Sequence, residues 1–198
     1  MPYSKYTLEE VVTKFNLTLV ENLGKFNNLP EISPSQLLTE TLEDNIPLAV
    51  AIATEKARSE LIVMPILVAV RKHLNKQISL FSGIEFNVNT ELGLGGFCDF
   101  IISRSRLQTI IQAPVVALVE AKNDNIKSGF GQCLAEMVAA QIFNQNRGNE
   151  ISKIYGAVTT GTAWQFLELE GQNAVLDLEE YSLKNLPKLL GILISFVS

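Results

Sequence analysis

Apolar residues at helical spacing characterise the N-terminal part of the chain. In Thr7–Leu23 they recur every three or four positions, which is typical of an amphipathic helix. After a turn-rich link, Pro34 occupies a position favoured at the start of a helix, which predicts a short helix over Pro34–Asp44. Residues 1–45 are therefore predicted to form a helical extension.

A long helix is predicted to follow this extension. Asn45 and Pro47 begin it, and the helical pattern continues to about Asn75. Because Pro65 lies inside it and lacks a backbone N–H, we expect a kink one turn upstream. Glu60 shares one lane of this helix with four apolar residues: Ala53, Ala57, Met64 and Leu67. A carboxylate on a lane that faces the core needs a partner, whereas a phase shifted by one residue would leave Glu60 exposed.

The middle of the chain changes to the period of a strand. Runs of β-branched and aromatic residues predict strands at Ile78–Val88, Phe97–Ser103, Val115–Ala121, Ile154–Thr160 and Trp164–Leu169, with a further short one at Ala174–Leu178. Helical spacing returns in Ser128–Gln145 and in Ser182–Val197. This order predicts an α/β protein with a mixed sheet and helices packed on it. We expect one domain, 1–198, with a core over 46–170 and a closing strand and helix over 171–198.

Composition and charge restrict the class of protein. An apolar content of 47% in 198 residues excludes disorder, and a net charge of −5 excludes a non-specific polycation. No apolar run reaches the roughly 20 residues that span a bilayer, and the N-terminus lacks the pattern of a signal peptide. We therefore expect a cytoplasmic protein with no membrane contact. Cys98 and Cys133 form no zinc-binding pattern and are expected to be small buried side chains.

Two predicted strands carry carboxylates among apolar neighbours. Because side chains alternate across a strand, Asp99 shares a face with Ile101, and Glu120 shares a face with Leu118 and Lys122. If the two strands are adjacent, Asp99 and Glu120 point at one volume, where their repulsion favours a bound cation. Mg²⁺ fits best, since it takes hard oxygen ligands and often only one or two carboxylates.

Each of these residues also has a structural interpretation. Glu120 and Lys122 could form an ion pair at a strand end, and Asp99 could cap a turn. Gln132, near the start of the helix after Lys122, could reach back over the same rim or be an ordinary helix-start residue.

The order Glu60, Asp99, Glu120-Ala121-Lys122 and Gln132 resembles the pattern of the PD-(D/E)XK nuclease superfamily, the fold of type II restriction enzymes. The stretches GFGQCLAEMVAAQ and VTTGTAWQF look similar to a cyanobacterial-type branch of it. The resemblance covers about residues 53–169. Two positions depart from the pattern: Cys98 stands where the motif has Pro, and Glu136 follows Gln132 where the RecB-type branch has Tyr.

The resemblance implies a restriction-endonuclease-like αβββαβ core, extended by the N-terminal helices and the closing helix, and a Mg²⁺-dependent phosphodiesterase acting on DNA. Asp99, Glu120 and the carbonyl of Ala121 would ligate Mg²⁺, for which Mn²⁺ could substitute. Lys122 would position or deprotonate the attacking water. Glu60 would bind a second metal or a metal-bound water. A homodimer is one assembly that the resemblance suggests.

A second interpretation is a catalytically silent member of the same fold that binds nucleic acid or another protein. The complete set of polar residues favours activity. No Lys or Arg occurs from Ile154 to Leu183, a segment that carries five acidic residues, and this acidic end opposite a modestly basic site side suits a DNA-facing polarity. The basic side is still thin. This favours the silent module and predicts weak DNA affinity without a metal.

Overall fold

In the computed structural model, which describes residues 2–149 and 151–198, helices cover both faces of a mixed β-sheet. The helices are α1 (Leu8–Lys14), α2 (Gln36–Ile52), α3 (Glu55–Arg58), α4 (Met64–His73), α5 (Phe130–Asn146) and α6 (Leu186–Val197). The strands are β1 (Thr18–Asn22), β2 (Ser79–Glu85), β3 (Phe97–Ser103), β4 (Val115–Ala121), β5 (Lys153–Thr159), β6 (Ala163–Glu170), β7 (Asn173–Asp177) and β8 (Tyr181–Ser182). The predicted α/β class is confirmed.

The strand order across the sheet is β1-β7-β6-β5-β4-β3-β2, and β8 pairs with β6. Strand β3 runs antiparallel to β2 and β4, whereas β4 and β5 are parallel. The parallel step requires a crossover, and α5 provides it. Every residue of β4 is buried, because helices cover both faces of this central strand.

Two apolar clusters lie on opposite faces of the sheet. Residues of α2, α4 and α6 form the first cluster with one face of the central strands, including Phe100 and Val119. Residues of α1 and α5 form the second with the other face, including Ile101 and Leu118. Among the helices in the described residues, none combines the length and the apolar content needed to cross a membrane.

The prediction of one helix over Thr7–Leu23 is wrong. Helix α1 ends at Lys14, and Asn16 adopts a left-handed conformation with φ of 50°, which asparagine tolerates better than most residues. The chain then enters β1, which pairs in parallel with β7. Segments 1–45 and 171–198 therefore both contribute strands to the sheet, and the first is not purely helical.

The predicted boundaries of the next two helices are also wrong. Helix α2 passes through Pro47 and ends at Ile52, and the next residue, Ala53, has φ of 55°. Thr54 then caps α3 by accepting a hydrogen bond from the backbone N–H of Ala57. A π-helical turn over Ser59–Val63 leads into α4. This turn lies immediately upstream of Pro65, where the kink was expected.

Candidate active site at the ends of strands β3 and β4

Asp99 and Glu120 lie side by side on neighbouring strands. The registered pairs of β3 and β4 end at Phe100 opposite Val119, so one step further along both strands come Asp99 and Glu120, on the same face. Asp99 Oδ2 accepts a hydrogen bond of 2.8 Å from the backbone N–H of Ala121. The side chain of Asp99 therefore replaces the backbone hydrogen bonds between β3 and β4 at this end of the two strands.

Lys122 and Gln132 join this pair. Lys122 Nζ donates to Glu120 Oε1 and, at 3.3 Å, to Gln132 Oε1. The backbone N–H of Lys122 donates to the carbonyl of Thr159 at 2.7 Å, which fixes the start of its side chain beside β5. Asp99, Glu120, Lys122 and Gln132, predicted from separate elements, thus come together in one cluster.

Burial dominates the electrostatics of the two carboxyls. It raises the pKa of Glu120 to about 8, with a further increase from the charge of Asp99 that Lys122 partly offsets. Burial likewise raises the pKa of Asp99, against the hydrogen bond from Ala121 and the charge of Lys122. Both carboxyls therefore take up a proton more readily than an exposed acid does, and a cation that binds here must compete with protons.

Burial and the neighbouring charges act on the pKa of Lys122 in opposite directions. Burial alone would lower the pKa of Lys122, but the charge of Glu120 and its hydrogen bond outweigh burial, so the net pKa is raised. Glu55 and Asp99 add to this increase. Lys122 is accordingly an ammonium ion throughout the neutral range.

Glu120 has an oxygen without a partner. Its side chain is 2% exposed, and Oε2 is buried with no hydrogen bond. Buried carboxylate oxygens are normally hydrogen-bonded, so an unpartnered one at a polar site suits a ligand. The donor set of two carboxylates and a backbone carbonyl is composed of hard oxygens, which fits Mg²⁺ or Mn²⁺.

A cleft of about 210 Å³ reaches the cluster on the side of Asp99. Asp99 and Ala121 line it together with residues of α3, the π-helical turn and β2. Gly83, in β2, has φ of 59°, and a Cβ placed there would meet nothing within 4 Å. The left-handed backbone, and not a close neighbour, accounts for glycine at this position.

The prediction that Glu60 faces the core is wrong. Its side chain is 61% exposed and forms a 2.7 Å ion pair with Lys56 at the rim of the cleft. The left-handed residue Ala53 and the π-helical turn both shift the helical phase, so the regular spacing used for the prediction does not hold. The alternative of an exposed Glu60 is the one that the structure supports.

Glu55 is an acidic residue of this cleft that the sequence interpretation missed. It is the first residue of α3, lines the cleft, and its charge acts on both Glu120 and Lys122. Thr54 followed by Glu55 is a recognisable helix start, since Thr caps helices and acidic residues favour the first turn. That signal was available in the sequence.

Glu136 is a second acidic residue that was not assigned a role in the site. It lies on α5, is fully buried, and accepts a hydrogen bond of 3.1 Å from Gln132 Nε2. Burial, reinforced by the charge of Glu120, raises the pKa of Glu136 well above its usual range.

The arrangement differs from a preformed metal cage. Across residues 2–149 and 151–198, no three His, Cys, Asp or Glu side chains form a group that would hold a metal ion by themselves. Any cation here would depend on two carboxylates, a carbonyl and water, a coordination that Mg²⁺ commonly accepts. The two cysteines are both free and buried.

Comparison with known proteins adds no family to this description. The chain matches no protein-family model, and no curated protein matches its sequence. Hypotheses about its chemistry therefore rest on the residues and contacts described above.

Proposed function

We propose that this protein hydrolyses phosphodiester bonds in DNA with the help of a divalent cation, Mg²⁺ or Mn²⁺. One observation carries the proposal: Asp99, which lines an open cleft, converges with Glu120 beside Lys122, and Glu120 Oε2 is buried behind it without a partner. A buried acid with a free oxygen next to a second acid is costly unless a cation or a proton joins them.

Asp99, Glu120 and the carbonyl of Ala121 would hold the cation. When bound, it would supply Lewis-acid stabilisation of a phosphoryl oxygen and lower the pKa of a bound water. Glu55 lies close enough to influence both Glu120 and Lys122 electrostatically. We assign to Glu55, in place of Glu60, the acidic position on the helix that lines the cleft.

Lys122 would act as a cation rather than as a base. In the metal-free cluster, the charge of Glu120 and its hydrogen bond raise the pKa of Lys122 and favour the protonated amine. Its ammonium group can donate hydrogen bonds to a water molecule or to a phosphate oxygen and stabilise developing negative charge. Gln132 keeps the ammonium group at the edge of the cluster.

The order of elements supports the proposal. Helix α4, strands β2, β3 and β4, helix α5 and strand β5 follow one another, with β4 parallel to β5. This is the αβββαβ order that the resemblance to PD-(D/E)XK nucleases implies. A fold alone does not determine activity, so the argument rests on the cluster and takes the fold as support.

Charge around the cleft is compatible with a DNA substrate bound weakly in the absence of metal. Lys56 lines the cleft with an 82% exposed side chain that pairs with Glu60, and Arg58 Nη1 donates a hydrogen bond to the carbonyl of Thr160. The acidic residues Glu168 and Glu170 lie at the opposite end of β5, where they pair with Lys153. Because Glu55, Glu60 and Asp99 also line the cleft, it repels a polyanion until a divalent cation binds, and DNA affinity should depend on the metal.

The test is a cleavage assay with linear, circular and single-stranded DNA in Mg²⁺, Mn²⁺ or EDTA. We expect cleavage in both metals and none in EDTA. Lys122→Ala should lower the rate by about a hundredfold or more. Lys153→Ala is the matched control, because Lys153 also pairs with a glutamate on the sheet but lies at the far end of β5; it should leave the rate unchanged. Equal rates for both variants, or cleavage that persists in EDTA, would contradict the proposal.

A silent nucleic-acid-binding module is the second candidate function. It is favoured by the Lys122–Glu120 ion pair, which partly neutralises the cluster without a metal. The silent module would be supported if wild type and Lys122→Ala both bound DNA and neither cleaved it under any metal condition.

A further inference from the structure

Glu136 is a buried acid that the proposed chemistry does not use. It lies in the middle of α5, among the second apolar cluster, with 0% exposure. Glu136 Oε1 accepts from Gln132, and Oε2 has no hydrogen-bond partner. A fully buried carboxyl with one unpartnered oxygen destabilises the fold relative to an apolar side chain of similar size.

The contacts of Gln132 show what Glu136 can do. The amide oxygen of Gln132 accepts from Lys122 Nζ, and its amide nitrogen donates to Glu136 Oε1. If the amide were rotated by half a turn, its nitrogen would face the ammonium of Lys122, and two donors would oppose each other. An acceptor at position 136, one helical turn after Gln132, therefore selects the productive orientation.

We propose that Glu136 is a positioning residue that acts on Lys122 through Gln132. By accepting the Gln132 amide N–H, it keeps the amide oxygen directed at Lys122 Nζ and so holds the ammonium group beside Glu120. The chain of contacts runs from the interior of α5 to the carboxyl pair in three hydrogen bonds: Glu136 to Gln132, Gln132 to Lys122, and Lys122 to Glu120. For catalysis, this inference rests on the proposed function; for the placement of Lys122, it does not.

Four variants separate positioning from a purely structural role: Glu136→Met, Glu136→Gln, Gln132→Met and the double variant with both methionines. Methionine keeps the length of the side chain and removes the acceptor, whereas glutamine keeps an acceptor oxygen without the acid. Unfolding in urea gives stability. Competitive labelling with trace acetic anhydride at fixed pH, read by mass spectrometry, gives the reactivity of Lys122 relative to Lys153. Cleavage assays give kcat and KM.

We expect Glu136→Met to be as stable as wild type or more stable, because it removes a buried acid. Its Lys122 should label several times faster, and kcat should fall by about tenfold with little change in KM, as is typical when a residue that orients a catalytic group is lost. Glu136→Gln should restore both readouts to near the wild-type values. The double variant should match Gln132→Met, because Glu136 would act only through Gln132.

Unchanged Lys122 labelling in Glu136→Met would overturn this inference, whether or not the protein cleaves DNA. Loss of stability in both Glu136→Met and Glu136→Gln, without rescue by glutamine, would also overturn it in favour of a structural role. Altered labelling in a protein that cleaves nothing would support the positioning of Lys122 while contradicting the nuclease proposal.

Discussion

Asp177 and Glu120 are two buried acids of one sheet that differ in how their oxygens are satisfied. Asp177, at the end of β7, is 0% exposed and Glu120, in β4, is 2% exposed. Asp177 Oδ1 accepts from the backbone N–H groups of Gly24 and Glu179, and Oδ2 accepts from the hydroxyl of Tyr181. Glu120 has Lys122 on one oxygen and nothing on the other.

The difference separates an acid that stabilises the fold from an acid that is available to a ligand. Hydrogen-bond donors surround Asp177, and they tie the segment after β1 and the segment after β7 together. A carboxylate satisfied in this way has no oxygen left for a cation. Glu120 lies near a second acid and an open cleft, so its burial is a cost to the fold that binding can offset.

The largest expected effect is on the Asp177 side of the comparison. Asp177→Ala would leave two backbone N–H groups and one hydroxyl without their acceptor, which we expect to cost about 4 kcal/mol in the free energy of unfolding. Urea denaturation would measure it. Asp124→Ala, at an exposed position, is the control and should change stability by less than about 0.5 kcal/mol. If both variants changed stability by the same small amount, the hydrogen bonds of Asp177 would not stabilise the fold.

A smaller effect is expected when pH is varied on the metal-free protein. Because the pKa of Glu120 is raised from 4.5 to about 8 in the folded state, the folded protein binds more protons than the unfolded chain between these values. The free energy of unfolding should therefore fall as pH rises, by about 3 kcal/mol from Glu120 between pH 5 and pH 8, and Asp99 and Glu136, whose pKa values burial also raises, should add to the fall. Urea denaturation in EDTA at several pH values would measure this fall. Millimolar Mg²⁺ should reduce the slope, whereas a flat profile in EDTA would show that Glu120 is not a strained acid.

Removing one of the two neighbouring acids should have an effect of about 1 kcal/mol. Asp99→Asn keeps an oxygen that can accept from the Ala121 N–H and removes a charge beside Glu120. We expect the metal-free variant to melt a few degrees above wild type, since repulsion between the carboxyls is relieved. Mg²⁺ should raise the melting temperature of wild type and raise that of the variant less. A variant that melts lower than wild type and gains equally from Mg²⁺ would indicate a structural role for Asp99.

The smallest effects concern the two acids of the cleft rim. Glu55 acts electrostatically on Glu120 and Lys122, whereas Glu60 forms an exposed pair with Lys56. Exposed pairs of this kind contribute little. Glu55→Gln should weaken the Mg²⁺-dependent rise in melting temperature by an amount equivalent to a severalfold loss of affinity, and Glu60→Gln should leave it unchanged. If both variants lost the same part of the Mg²⁺-dependent rise in melting temperature, Glu60 would contribute to cation binding as much as Glu55 does.

The sequence predicts the central strands well because their residues carry the signal locally. Phe97–Ser103 and Val115–Ala121 coincide with β3 and β4, since continuous β-branched and aromatic runs have few alternatives in a buried sheet. Strand β1 pairs with β7, more than 150 positions away, and nothing local distinguishes it from the end of an amphipathic helix. Its identity depends on a partner that the local pattern does not contain.

The candidate site was predictable in part for the same reason. Asp99, Glu120 and Lys122 follow from alternation along two strands, which the fold preserves. Glu60 depends on a helical phase that Ala53 and the π-helical turn interrupt. Gln132 and Glu136 are four positions apart, a spacing that places them in contact on a helix. The burial of Glu136, in contrast, depends on the packing of α5 against the sheet.

The hydrogen bond from Ala121 to Asp99 gives the site a built-in spectroscopic reporter. The Ala121 amide proton is bound by a side chain instead of by the neighbouring strand, so its chemical shift and its exchange with solvent depend on the charge and position of one carboxylate. Any cation drawn to Asp99 would withdraw electron density from that oxygen and weaken the bond. In a ¹⁵N-correlated spectrum, the Ala121 resonance should move on titration with Mg²⁺, whereas the Val119 resonance, in the regular part of β4, should stay in place.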